Sequence, residues 1–175
     1  MSAGVTEMTA QATAKLLIRP AEPEDSEVLT QIAFASKGYW NYPEAYYELW
    51  RDELTVTPEY IAKNRVFVAE AGMAPGGFAA VLQVEKAFRV GPVFIEAGYW
   101  LDHLFVSPAS IGQGIGSALL EHVRKTCRDR GIAGLSLFAD PHAAGFYEKA
   151  GAVFLKEVPS SIPGRTLPLY RLPIP

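Results

Sequence analysis

Apolar and polar positions change period several times along the chain. Leu16-Leu17-Ile18-Arg19-Pro20 is a short apolar run ended by proline and predicts a strand. Pro23-Glu24-Asp25-Ser26 reads as a helix start with acidic residues in its first turn. Val28, Leu29, Ile32 and Ala33 then recur at helical spacing, and Gly38 closes the helix. A second helix is predicted from Pro43 to Leu54, with Pro43 in its first turn, and a short helical turn from Thr57. Arg65 to Ala71 is β-rich, Gly76-Gly77 marks a turn, and Phe78 to Val84 is the hairpin partner. Val93 to Val106 reads as one long strand region broken at Pro108. A helix follows from about Gly114 to Arg130, closed by Gly131. Leu135 to Ala139 is a short buried strand, Ala143 to Ala150 a short helix stopped by Gly151, and Val153 to Val158 and Leu167 to Leu172 are the last strands.

The order β-α-α-β-β-β-α-β-α-β-β contains a strand, crossover helix, strand unit near its end, which implies local parallel pairing, while the hairpins imply antiparallel pairing elsewhere. The expected fold is a single mixed-sheet α/β domain, residues 15–175, with helices on both faces. Residues 1–14 are small and polar and are expected to form a flexible tail. They lack the basic start and apolar stretch of a signal peptide.

Composition narrows the options. A chain of 175 residues, 49% apolar and 20% charged, suits one soluble globular domain. The net charge of −3 provides no overall basic field, which argues against nucleic acid or an anionic membrane as partner. No apolar run reaches the roughly 18 residues of a membrane span. The expected compartment is the cytoplasm. Cys127 is the only cysteine, so neither an internal disulfide nor a Cys-rich metal site can form. It falls in helical register with Leu120 and Val123, in the pattern of a core residue.

The chemistry is concentrated in Leu104-Phe105-Val106-Ser107-Pro108-Ala109-Ser110-Ile111-Gly112-Gln113-Gly114-Ile115-Gly116-Ser117-Ala118-Leu119-Leu120. A strand enters a turn with three alternate glycines and an amphipathic helix leaves it. Free N–H groups at a helix start, backed by the helix dipole, suit a phosphate or pyrophosphate. The dinucleotide fingerprint needs glycine at 117, where Ser117 stands, and no Gly-Lys-Ser/Thr triplet of a P-loop occurs. A different phosphate cradle, or a plain tight turn before a helix, remains.

This stretch resembles motif A of the GNAT acetyltransferases, a strand followed by Arg/Gln-x-x-Gly-x-Gly/Ala and a helix. Gly114 and Gly116 match its small positions, and Ile111 departs from its Arg/Gln. Asp140-Pro141-His142-Ala143-Ala144-Gly145-Phe146-Tyr147-Glu148-Lys149-Ala150-Gly151-Ala152 resembles motif B, with Phe146, Tyr147 and Gly151 matching and His142 where the family often has Asn. The resemblance implies acetyl-CoA as co-substrate. Its pyrophosphate is expected on Ile111, Gly112, Gln113, Gly114, Ile115, Gly116 and Ser117. Its pantetheine arm is expected along Leu104, Phe105 and Val106, where the fourth and fifth strands of the family splay apart. His142, Phe146 and Tyr147 are expected beside it.

Acetyl transfer to an amine requires proximity, loss of the amine's proton and protonation of the leaving thiolate. The resemblance makes Tyr147 the candidate general acid; otherwise Phe146-Tyr147 anchors a short helix. It draws the base, directly or through water, from the Asp102 position. Period-two alternation places Trp100, Asp102, Leu104 and Val106 on one face and turns His103 the other way; His103 is the alternative base, or else a packed or hydrogen-bonded residue. His122 and His142 combine with them at no metal spacing, and no metal is expected.

The segment Ser36-Lys37-Gly38-Tyr39-Trp40-Asn41-Tyr42-Pro43 walls the acceptor pocket by the same resemblance, with Trp40 and Tyr42 against the acceptor. Alternatively Trp40, Tyr46 and Trp50 pack the helices together. Arg165, in the Ser160–Arg165 connection, either pairs with an acceptor carboxylate or is a solvated turn residue. The expected activity is N-acetylation of a primary amine on a small molecule, by direct attack in a ternary complex, with a homodimer a family-level expectation. The alternatives are acetylation of a protein lysine or N-terminus, and a non-catalytic acyl-CoA sensor.

Overall fold

The computed structural model describes residues 15–175, and the flexible tail expected over residues 1–14 lies outside them. The elements are β1 (Leu16–Pro20), α1 (Ser26–Gly38), α2 (Glu44–Leu54), α3 (Pro58–Lys63), β2 (Arg65–Ala71), β3 (Ala74–Val84), β4 (Phe88–Val90), β5 (Val93–Ile95), β6 (Gly98–Val106), α4 (Ile115–Asp129), β7 (Gly134–Phe138), α5 (Ala144–Lys149), β8 (Val153–Pro159) and β9 (Thr166–Pro173). Seven strands form one sheet in the order β1-β2-β3-β6-β7-β9-β8, and β4-β5 stand apart as a hairpin. Among the described strands only β6 and β7 run parallel; the other pairs are antiparallel. This is the mixed α/β sheet that the element order implies.

Alternation along the strands gives each face of the sheet its own core. Phe67, Ala69, Ala79 and Val81 face α4, where Leu119, Val123 and Cys127 are buried. Val66, Val68, Phe78 and Ala80 face the other way, onto Leu29, Ile32 and Ala33 of α1 and Trp50 and Leu54 of α2. Each such aliphatic side chain contributes about 1.5–3 kcal/mol by leaving water. Burial also pushes the Cys127 thiol's pKa upward, so it stays an uncharged core group.

The local structure departs from the sequence expectations at three points. The turn between β2 and β3 lies at Gly72 (φ +78°) and Met73, not at Gly76-Gly77, which sit inside β3. The two glycines serve packing instead. A Cβ on Gly77 would lie 2.8 Å from the Phe105 carbonyl and 2.9 Å from Ile115 Cγ2, and one on Gly76 would lie 2.6 Å from Ile115 Cδ1. Next, the region from Val93 is not one strand. The chain turns at Gly91 (φ +57°), pairs β5 back onto β4, and starts β6 at Gly98.

The third departure bears on chemistry. β3 pairs Ala80 with His103 but Val81 with Leu101, leaving Asp102 as the extra residue of a β-bulge. A bulge shifts the alternation by one. Leu101, Leu104 and Val106 therefore belong to the α4 core, while His103 packs with Phe78 and Phe105 on the opposite face. Asp102 is thus not in line with Leu104 and Val106, and it does not point away from His103.

Candidate active site

β6 makes eight register pairs with β3 but only one, Trp100↔Ser136, with β7. Beyond Trp100 the parallel strands part, which frees the β7-facing main chain of β6 and opens a cleft of about 480 Å³ lined by Leu104, Phe105, Phe138 and Tyr147. β6 then runs into the glycine turn. Gly112 (φ +81°) and Gly114 (φ +78°) take the left-handed conformation that glycine tolerates, and Gly114 caps α4. The first bond of the helix runs from the Ala118 N–H to the Gly114 carbonyl at 3.0 Å. The N–H groups of Gly112, Gly114, Ile115, Gly116 and Ser117 meet no protein acceptor among the described residues, whereas that of Gln113 reaches the Ser110 carbonyl at 3.4 Å. Clustered free donors at the positive end of a fifteen-residue helix form an anion cradle. The Ile111 side chain lies exposed beside it, and the Gln113 amide is occupied by the Ala109 carbonyl at 3.2 Å.

Three groups converge on the bulge. The Tyr60 hydroxyl donates to Asp102 Oδ2 at 2.5 Å, and His103 Nε2 lies 3.4 Å from the same oxygen. All three line the cleft. Burial, reinforced by the Asp102 charge and hydrogen bond, raises the Tyr60 pKa, so Tyr60 is a fixed donor that orients the carboxylate. α5 supplies Tyr147, a buried residue whose hydroxyl has no protein partner among the described residues and whose ring sits edge-on to Phe146. Burial first, and then the Asp140 charge, push its pKa above the usual tyrosine range, so the hydroxyl keeps its proton. Phe146 also approaches the turn: a Cβ on Gly116 would lie 3.5 Å from its ring.

A second constellation closes around Asp140 at the end of β7. Lys37 Nζ donates to Asp140 Oδ2 at 2.8 Å, the Tyr42 hydroxyl donates to the two carboxylate oxygens at 2.7 and 2.8 Å, and the His142 N–H donates to Oδ1 at 3.0 Å. Arg165 donates to Tyr42 Oη at 3.2 Å. Burial acts against the Asp140 carboxylate, yet the charge and hydrogen bond of Lys37, with the donors of Tyr42 and His142, hold it below the usual carboxylate range. The His142 ring stacks on Trp40 at 4.3 Å, joining the α1–α2 connection to the start of α5. That connection turns at Asn41, which takes a positive φ (+52°) that Asn accepts more readily than most residues. Trp50 is buried in the helix core and Tyr46 packs against it, whereas Trp40 is 41% exposed and lines the cleft with Trp50.

Tyr60, Lys37 and Asp140 were absent from the candidate site residues read from the sequence. Lys37 lies at the end of α1 and Asp140 just beyond β7, 103 positions apart, and no local pattern joins them. Tyr60 lies in a short helix capped by the Thr57 side chain, far in sequence from Asp102. Among the described residues no helix is long and apolar enough to cross a membrane, and no three metal-ligating side chains come together.

A mixed sheet with a splayed parallel pair, a main-chain anion cradle at its rim and titratable groups in the gap defines an α/β domain with a built ligand cleft. A family model described as an acetyltransferase (GNAT) domain matches residues 62–151, from α3 through α5. The chain belongs to the GNAT acetyltransferase family. The GCN5-related N-acetyltransferase structure from Rhodopseudomonas palustris is 26% identical, with a TM-score of 0.69 over 91% of this chain and 95% of that one. The PaiA N-acetyltransferase from Thermoplasma acidophilum, solved with coenzyme A, is 22% identical, with a TM-score of 0.68 over 89% of this chain and 98% of that one; at that identity the likeness shows the fold. The uncharacterized N-acetyltransferase ycf52-like of Prochlorococcus marinus is 34% identical over 61 residues, which span 35% of this chain and 33% of that relative.

Proposed function

We propose that the protein is an acetyl-CoA-dependent N-acetyltransferase that acts on the primary amine of a small molecule in a ternary complex. The observation that carries this reading is the gap between β6 and β7, flanked by free N–H groups at the α4 turn and by the unpartnered Tyr147 hydroxyl. The cradle from Gly112 to Ser117 suits the pyrophosphate, and the unpaired edge of Leu104, Phe105 and Val106 suits the amide-rich pantetheine arm. Acetyl-CoA supplies an acyl group activated as a thioester.

The chain's residues divide the remaining work. Asp102, oriented by Tyr60 and flanked by His103, draws the ammonium in and removes its proton, directly or through water. The amine nitrogen bonds to the thioester carbonyl carbon as the carbon–sulfur bond breaks, giving an amide and coenzyme A. Tyr147 donates a hydrogen bond to the leaving sulfur, which takes up the second proton that nitrogen loses as the amide forms. The raised pKa of Tyr147 favours a strong hydrogen bond to the thiolate over outright ionisation. The bounded cleft, with walls from the β4–β5 hairpin and the α1–α2 connection, favours a small acceptor over a protein segment.

Thiol release from acetyl-CoA across an amine panel tests the activity, and calorimetry tests uptake of the coenzyme. Tyr147→Phe should lower kcat by about 10²-fold or more while acetyl-CoA affinity stays close to wild type. Coenzyme binding without turnover of any amine or peptide would convert the reading to a sensor, and no binding at all would remove it.

A further inference from the structure

The charge cluster at Asp140 is out of balance. Lys37 and Arg165 both face this single carboxylate, at 2.8 and 3.8 Å, and neither pairs with another acid among the described residues. The close contact goes to Lys37, and the remaining acceptor capacity of Asp140 goes to Tyr42 and the His142 N–H. Arg165 keeps one side-chain hydrogen bond, to Tyr42, although only 15% of its side chain is exposed. No fully buried side-chain polar atom lacks a partner among the described residues, so the other guanidinium donors are not sealed off, and Arg165 lines the cleft. A forked donor with spare N–H groups in a partly dry site matches a carboxylate.

Arg165 is also held in place. Its guanidinium lies over the Tyr42 and Trp50 rings, at 5.1 and 5.4 Å. Its main chain closes the β8–β9 connection, with its N–H on the Ile162 carbonyl at 3.0 Å and its carbonyl accepting from Ser160 at 2.9 Å. Ser160 and Ile162 are both buried, so little ordering is left for a ligand to impose. The same cleft carries acids of its own in Asp52, Glu53 and Asp102, none of which pairs with Lys37 or Arg165. One cleft thus offers an acidic group to an ammonium and a cationic group to a carboxylate.

We propose that Arg165, with Lys37 beside it, is a carboxylate subsite and that the acceptor is a zwitterion: an amine bearing its own carboxylate, as an amino acid does. This rests on the acetyltransferase reading above and narrows its acceptor class. The same subsite chemistry would serve an acyl group ending in a carboxylate, and the experiment separates the two sources.

Acetylation of phenylalanine is compared with phenethylamine and phenylalaninamide, and leucine with isopentylamine, in the wild type, Arg165→Ala and Arg165→Lys. The wild type should prefer each carboxylate-bearing amine by roughly 10- to 100-fold in kcat/KM, the range that a charge-assisted hydrogen bond provides. Arg165→Ala should bring that ratio close to unity, with the change in the acceptor KM, and Arg165→Lys should fall between. If Arg165→Ala does not fold, Arg165→Lys decides alone. Equal use of the decarboxylated amines by the wild type, or a preference that survives both substitutions, overturns the proposal. Arg165-dependent transfer from succinyl-CoA to phenethylamine, in preference to acetyl-CoA, overturns the assignment to the acceptor. Turnover of phenethylamine without carboxylate preference leaves the acetyltransferase standing and removes only this inference, whereas failure to take up acetyl-CoA removes both.

Discussion

Arg19 and Arg165 are both half-sheltered arginines beside acids, and they are used differently. Arg19 bonds Asp25 with both terminal nitrogens, at 2.8 and 2.9 Å, and Glu70 through Nε at 2.8 Å, while 30% of its side chain is exposed. It ties β1 to the start of α1 and to β2. Arg165 is less exposed yet makes one hydrogen bond, and it stands 3.8 Å from a carboxylate already taken by Lys37. One cation with two acids is saturated, and its role is to hold the fold. Two cations with one acid are not, and that excess faces a cleft. Burial alone does not separate the two cases; the count of donors left without acceptors does.

The contrast is most sharply broken at Arg19. Arg19→Met should destabilise by about 2–4 kcal/mol, because it leaves two carboxylates side by side without their counter-ion; the check is the denaturant midpoint, with acceptor preference little altered. Asp140→Asn should cost about 1–3 kcal/mol, since it leaves Lys37 and Arg165 facing one another across a neutral amide. It should also flatten the acid limb of the stability curve. Asp25 and Asp140 are both held below the unfolded value near ~3.9. The stability they contribute is complete above that pH and is lost as pH falls through the folded values. Unfolding midpoints from about pH 5 to about pH 3 should therefore fall less steeply in Asp140→Asn than in wild type. The smallest stability effect is expected for Arg165→Met, about 1 kcal/mol, since it strands no partner: Asp140 keeps Lys37 and Tyr42. A loss as large as that of Arg19→Met would make Arg165 a fold residue and dissolve the comparison.

Much of the scaffold was legible because its signals are local. The run Arg65–Ala71 and the helix after the glycine turn carry their periods in their own residues, and the structure forms both there. The parts that were not legible depend on partners elsewhere. Alternation predicted opposite directions for Asp102 and His103, but the bulge is a property of the β3–β6 register and cannot be seen in either strand alone. The pair Gly76-Gly77 looked like a turn because glycine permits turns. Its use is the close approach of α4, a contact that exists only after the sheet and helix meet. Lys37 and Asp140 likewise meet only in three dimensions.

Gly77 lies outside the glycine turn, yet it governs how that turn is presented. A side chain there would wedge between the first turn of α4 and the Phe105 carbonyl, levering the helix away from the strand beneath it. Its amide groups would then aim elsewhere, although every residue of the turn itself were unaltered. The pointing accuracy of the proposed phosphate cradle thus depends on a missing methyl in another strand.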